Sequence, residues 1–177
     1  MTSTKHNNHL TTHEAICDAI FRNTQGIDDN DVSLMESAFT QDALQDMTGF
    51  RFLNLQFGII GGRDAIVGMT SETVGRMTTT HMTSNHRTRI SEDGKTAYLT
   101  CYALAQHWRP GQGRSFAFGS NFLMGNRYEA ELIFDGELWK FTRLVIRPQW
   151  TQGDFGVFDL DSWSVVDQAV ESRSKSV

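Results

Sequence analysis

Moving a proton without a cofactor requires an acceptor whose pKa lies near neutrality, for which histidine is the natural choice. It also requires an ionised carboxylate to orient the ring and stabilise the imidazolium. Asp28, where a helical stretch ends, and His81, where a strand opens, are the candidate pair. Both also have architectural readings, Asp28 as the cap of a second helix and His81 as a hydrogen-bonded strand histidine. Around His81, alternation gives no clean apolar side, so strand parity does not orient it. His107 shares a strand face with Ala97, Leu99, Cys101, Ala103 and Ala105, mostly small residues that leave room inside a curved sheet.

Other chemistries lack their usual residues. The sequence has no Walker motif, no GxGxxG, no HExxH, no GxSxG and no CxxC. His6, His9 and His13 have no cysteine or carboxylate cluster to complete a metal site, so neither a metal nor a cofactor is expected.

Elements that position these residues follow from hydrophobic spacing. Ile16, Ala19, Ile20, Asn23 and Ile27 recur at three and four, predicting a helix from Thr12 capped by Thr11 or Thr12. Asp28-Asp29-Asn30-Asp31 is a turn and a new cap before a short second helix carrying Val32, Met35, Ala38 and Phe39. Residues 42–57 mix strand and loop signals. After Gly61-Gly62 a third helix runs to near Met77. The remainder reads as strands at Thr80–Ser91, Thr96–Arg109, Asn121–Phe134 and Leu138–Arg147, joined by turns such as Glu92-Asp93-Gly94-Lys95 and Asp135-Gly136. Helices followed by a meander give an α+β fold, a cone-shaped curved antiparallel sheet with three helices from the N-terminal half enclosing an apolar pocket. Parity places Phe122, Met124, Asn126, Tyr128, Ala130 and Leu132 on one apolar face. Arg143 shares parity with Trp139, Phe141 and Val145, which turns it inward towards an anionic intermediate unless it forms a surface salt bridge. Glu131 is a second acid or a solvated strand residue.

A chain of 177 residues suits a single domain, here 12–163, between a polar arm at 1–11 and a polar tail at 164–177. Sixteen Lys and Arg against 21 Asp and Glu give 16 − 21 = −5 with no basic run, which argues against nucleic acid and anionic membrane surfaces as partners. Two cysteines are too few for a disulfide framework and read as reduced. No apolar run approaches the roughly 20 residues of a membrane span, and the polar start has no signal-peptide core, so a cytoplasmic protein is expected. Twelve Phe and seven Met against three Tyr suit a greasy cavity or simply a core. In the segment 148–163, Trp150, Phe155, Phe158, Leu160 and Trp163 are too apolar for a free tail and read as a lid or a permanent strap.

Three runs together resemble a known family: Gly26-Ile27-Asp28-Asp29-Asn30-Asp31, Thr80-His81-Met82-Thr83-Ser84-Asn85, and Phe134-Asp135-Gly136-Glu137-Leu138-Trp139-Lys140-Phe141. They are similar to the SnoaL-like group of the nuclear-transport-factor-2-like superfamily, and within it to scytalone dehydratase from about Ala15 to Asp161. Ile66-Val67-Gly68-Met69, Ala105-Gln106-His107 and Leu144 to Trp150 with Phe155 extend the likeness. The resemblance implies a cofactor-independent lyase or isomerase, of dehydratase or cyclase type, acting on a small hydrophobic polycyclic natural-product intermediate. It makes Asp28 the carboxylate behind the imidazole, His81 the general base or acid, and His107 the second pocket histidine. The substrate-binding set it suggests, taken with the strand faces, is Asn23, Met47, Phe50, Met69, Tyr128, Arg143, Leu144, Ile146, Phe155 and Phe158. It also implies a homo-oligomer, dimer or trimer, associated through the outer sheet face. Two carbonyl-facing tyrosines of scytalone dehydratase correspond to Ile27 and Met47, and a pocket asparagine is replaced near Arg127. A tyrosine of bile-acid dehydratase corresponds to Asn23. The alternative class is a non-catalytic fold-mate that binds a small molecule or a partner chain, which a pocket too small for a bicyclic ligand would favour.

Overall fold

Helix α1 (Thr12–Asp28) begins at Thr11, whose hydroxyl accepts from the Glu14 N–H while the Glu14 carboxylate accepts from the Thr11 N–H. This reciprocal cap satisfies two donors that a helix start otherwise leaves unpaired. The computed structural model describes residues 10–53, 57–114 and 120–159. Residues 1–9 of the expected arm, the tail at 164–177, and Leu160 and Trp163 of the expected lid lie outside the described residues.

Ile16, Ala19, Ile20, Asn23 and Ile27 form the buried stripe of α1 as their spacing predicts. Helix α2 (Val32–Ser37) is capped by Asp31, which accepts from the Leu34 N–H at 3.0 Å. Asp28 therefore does not serve as that cap, and its carboxylate is free for another partner. Phe39, expected in the second helix, instead opens strand β1 (Phe39–Asp46); a 3-10 turn at Thr48–Leu53 follows within the mixed stretch, and a short strand β2 (Ile59–Gly61) lies just beyond it. Helix α3 (Arg63–Glu72) ends five residues earlier than expected, and a 3-10 turn at Val74–Arg76 completes the run to Met77.

Strands β3 (Thr78–Ile90), β4 (Thr96–Trp108), β5 (Asn121–Phe134) and β6 (Trp139–Gly153) form an antiparallel meander, and the curved, unclosed sheet has the order β2-β1-β6-β5-β4-β3. One pairing departs from the all-antiparallel expectation, because β1 lies parallel to β6. Chain order explains it: β1 comes directly from α2, and the whole meander separates it from its neighbour in the sheet.

Bulges move side chains between faces, since one extra residue reverses the alternation beyond it. In β6, Glu131 pairs with Arg143 but Leu132 with Phe141, which leaves Thr142 unpaired. Trp139 and Phe141 before the bulge and Leu144 and Ile146 after it are consequently all buried. Arg143 is thereby turned out of the inner row, correcting the parity reading, and pairs with Asp46 at 3.1 Å. Glu131 is exposed. A second bulge between Ser84 and Arg87, with Asn85 at φ 55°, returns His86 to the covered face of β3, where its ring meets Phe21 of α1 edge-on at 5.2 Å.

The core lies between α1 and the inner sheet face. There Leu99, Cys101, Ala103 and Ala105 of β4 face Phe122, Met124, Tyr128, Ala130 and Leu132 of β5. Both cysteines are free and buried, and burial pushes the Cys101 thiol up to about 12. Buried Arg22 pins three elements together: its guanidinium meets Asp18 at 2.7 Å, donates to the Trp139 carbonyl at 2.6 Å, and also bonds the Ser37 carbonyl.

Candidate active site

The last residue of α1 meets the fourth residue of β3. One Asp28 carboxylate oxygen lies 2.6 Å from His81 Nδ1, and the other accepts from the His81 backbone N–H at 2.7 Å. Holding both ends of one residue with one carboxylate fixes the ring plane and places the imidazole proton on Nδ1. His81 Nε2 is then a lone pair without a protein partner among the described residues. The His81 side chain is only 5% exposed and lines a cavity of about 300 Å³.

His107 enters from β4, with its ring centroid 5.6 Å from that of His81. Thr79 of β3 lies beside it, with Oγ1 3.0 Å from His107 Nδ1 and 3.0 Å from the Gln106 carbonyl. A carbonyl only accepts, so the single hydroxyl proton of Thr79 goes to Gln106, and His107 Nδ1–H donates to the Thr79 oxygen. His107 therefore presents Nε2 to the cavity as an acceptor. Burial, reinforced by neighbouring His81, pushes its pKa down to about 3, and the Asp28 carboxylate opposes this only in part.

Most of the expected substrate-binding residues meet at this cavity. Asn23 comes from α1, Met47 and Phe50 from the segment after β1, and Met69 from α3. Tyr128 of β5 and Ile146 of β6 form the inner sheet wall, and Phe155 and Phe158 close one side from a 3-10 turn at Phe155–Phe158. Phe158 lies 5.0 Å from the His107 ring and stacks on Phe155 at 5.1 Å. Two expected residues stand apart from the lining: Leu144 is in the core beneath it, and Arg143 is at the Asp46 pair. Sequence reasoning did not single out Gln45, Phe122 or Met124 as lining; the last two were legible from the buried parity of β5. Beside exposed Arg127, where a pocket asparagine was expected to be missing, Asn126 points inward and is buried, with neither amide atom paired.

The expected lid also changes shape. Pro148–Gly153 is not a flap but the end of β6, paired with β5 as far as Phe122. Among the described residues of this segment, the Phe155–Phe158 turn follows the end of the strand. It is held by Asp154, which accepts from the Gly156 N–H at 2.8 Å, and by Arg109, which donates to the Gly156 carbonyl at 3.1 Å. Among the described residues, no group of three or more His, Cys, Asp or Glu is placed to hold a metal ion, and no helix is long and apolar enough to cross a membrane.

The family model of the SnoaL-like domain matches residues 8–145. The chain belongs to the SnoaL-like family. A curated relative, terrestric acid biosynthesis cluster protein E of Penicillium crustosum, is 36% identical over 152 residues, covering 84% of this chain and 90% of the relative. Among solved structures, a candidate scytalone dehydratase from Novosphingobium aromaticivorans superposes with a TM-score of 0.63 at 21% identity, over 80% of this chain and 86% of that one. The hexachlorocyclohexane dehydrochlorinase LinA-type3 of Novosphingobium barchaimii LL02 gives 0.64 at 17% identity, over 82% and 91%. At these identities the two structures establish that this SnoaL-like chain shares their α+β cone.

Proposed function

We propose that this SnoaL-like chain is a cofactor-independent lyase or isomerase acting on a small oxygenated polycyclic intermediate of secondary metabolism, of polyketide type. The observation that carries the reading is the doubly held Asp28–His81 pair opening on an apolar cavity. His81 Nε2 takes a proton from carbon alpha to a carbonyl, leaving an enolate, and Asp28 stabilises the resulting imidazolium. The imidazolium then returns the proton, either to a departing hydroxyl that leaves as water or to another carbon, which shifts the double bond. A cavity of about 300 Å³ lies at the lower end of the range for small-molecule sites and admits a bicyclic ligand, which supports an enzyme over a partner-binding fold-mate. The setting of the Penicillium crustosum relative in a biosynthesis cluster supports a natural-product intermediate.

The test is to incubate purified chain, without cofactor, with oxygenated bicyclic and polycyclic carbonyl intermediates made by neighbouring biosynthetic enzymes, and to follow product mass. Loss of one water identifies a lyase, and unchanged mass with altered retention an isomerase. His81→Ala is expected to lower kcat about 10²–10⁴-fold in a folded protein. Near-normal turnover by that variant would exclude the pair as the acid–base centre.

A further inference from the structure

An enolate formed beside His81 needs a hydrogen-bond donor at its oxygen, and the cavity wall holds few free ones. No Lys or Arg is among its described lining residues. The Thr70 hydroxyl donates to the Ile66 carbonyl at 2.8 Å and the Thr73 hydroxyl to the Met69 carbonyl at 2.7 Å, so neither proton is available. His107 has its one ring proton on the Thr79 oxygen and turns a lone pair to the cavity. The Gln45 amide N–H faces the Met47 sulfur at 3.4 Å. Among the described lining residues this leaves the Asn23 amide, the second N–H of the Gln45 amide and the Tyr128 phenol with donors that no protein group takes.

Of these, Tyr128 stands on the meander that also carries His81 and His107. It stands on the inner face of β5, opposite Cys101 of β4, and is buried at 4% exposure. Between it and His81 the β4 row is Ala103 and Ala105, two side chains too short to fill the gap. The phenol on β5 and the imidazole on β3 line the same cavity, with Ala105 of β4 in its wall between their strands. An O–H that no protein group takes, at the wall of an apolar cavity, is a fixed donor for an oxygen of growing negative charge. Burial also pushes the phenol well above its ordinary range, with the Cys101 thiol and the Asp28 carboxylate adding to the effect, so the group stays a neutral donor.

We infer that Tyr128 is the oxyanion donor of this site: its phenol O–H hydrogen-bonds the carbonyl oxygen of the substrate while His81 removes the adjacent C–H proton, with His107 serving as an acceptor for a substrate hydroxyl. No bond to Tyr128 is made or broken and its proton stays on the phenol. This inference rests on the acid–base reading for its place in the reaction, and its test is separable from that reading because it is read by binding.

The probe is 4-nitrophenol above its pKa, whose phenolate oxygen carries the charge an enolate would, with nitrobenzene as the same ring without that oxygen. Wild-type chain should bind the phenolate, and Tyr128→Phe should weaken that binding at least tenfold while leaving nitrobenzene affinity and Tm unchanged. In wild-type protein labelled at the tyrosine ring carbon bearing oxygen, the Tyr128 resonance should shift with 4-nitrophenolate and not with nitrobenzene, a readout that needs no variant to fold. His81→Ala should keep the phenolate preference. Loss of turnover in Tyr128→Phe by about 10²–10³-fold is the matching expectation once a substrate is in hand. Equal phenolate affinity in Tyr128→Phe and wild type, parallel loss of both probes, or no phenolate binding by the wild type would each overturn the assignment. If turnover instead proves independent of His81, the acid–base reading falls while the Tyr128 contact is judged on the probe pair alone.

Discussion

At the residue scale, the Asp28 carboxylate does two jobs on one partner, and these can be separated. Asp28→Asn keeps a carbonyl for one of the two His81 N–H groups but cannot balance the charge of an imidazolium. Its kcat should fall by about 10²–10⁴-fold, with far less change in the affinity for nitrobenzene, measured by steady-state kinetics and probe titration side by side. His107 makes a second prediction, on stability. Its folded pKa of about 3 lies below the ordinary 6.5, so between those values the unfolded chain binds a proton that the folded chain refuses. Stability is then full above about pH 6.5 and is lost as pH falls towards 3, by on the order of 3–5 kcal/mol. His107→Gln should flatten that part of the curve in denaturant titrations. The residue types at 28 and 81 announce acid–base chemistry, but their pairing spans 53 positions and no local pattern encodes it; the family resemblance is what made it legible. Thr79 gave no signal because its role lies in which neighbour receives a single proton.

At the element scale, hydrophobic spacing located the three α-helices and the four long strands of the described residues, since burial of one face repeats along them. It failed where an extra residue resets the alternation. Nothing in Phe141-Thr142-Arg143-Leu144 marks the bulge at Thr142, so parity carried Arg143 inward and the structure turns it out. The end of β6 was hidden similarly, because Pro148 and the unpaired Gln149 read as a strand terminus, whereas pairing resumes at Trp150 opposite Gly125. Truncation to test the lid therefore belongs after Asp154. Removing the Phe155–Phe158 turn uncovers the His107 ring, and the water it admits should raise the His107 pKa from about 3 towards 6.5, followed by imidazole resonances across pH. The lid reading expects this with Tm lowered by only a few degrees. A variant that no longer folds would make the segment a strap, in keeping with the complete burial of Val157.

At the scale of the whole molecule, the inner face of the sheet is committed to the core and cavity, while its outer face is left with apolar groups that align. Met82 of β3 pairs with Leu104 of β4, Leu104 with Gly125 of β5, and Gly125 with Trp150 of β6, a single row crossing four strands. Met82 is 54% exposed and Trp150 47%, and the Trp150 indole lies over Gly125, where a Cβ would come within 2.3 Å of the ring. Tyr102 extends the patch, and the Arg127–Glu129–Arg147 cluster flanks it with both signs of charge. A mixed-charge border around an apolar row suits a second copy of the same surface, because each arginine can meet the partner's carboxylate as well as its own. The chain is accordingly expected to run as a dimer or trimer in light scattering at micromolar concentration. Leu104→Glu places a charge at the centre of the row without touching the opposite face, so it should yield monomers whose affinity for nitrobenzene stays within about twofold of wild type. A wild-type chain that is monomeric throughout would remove the outer face as an assembly surface. Monomers that also lose the probe would instead mean that packing between copies holds the cone open around its cavity, linking assembly to the site on the other side of the sheet.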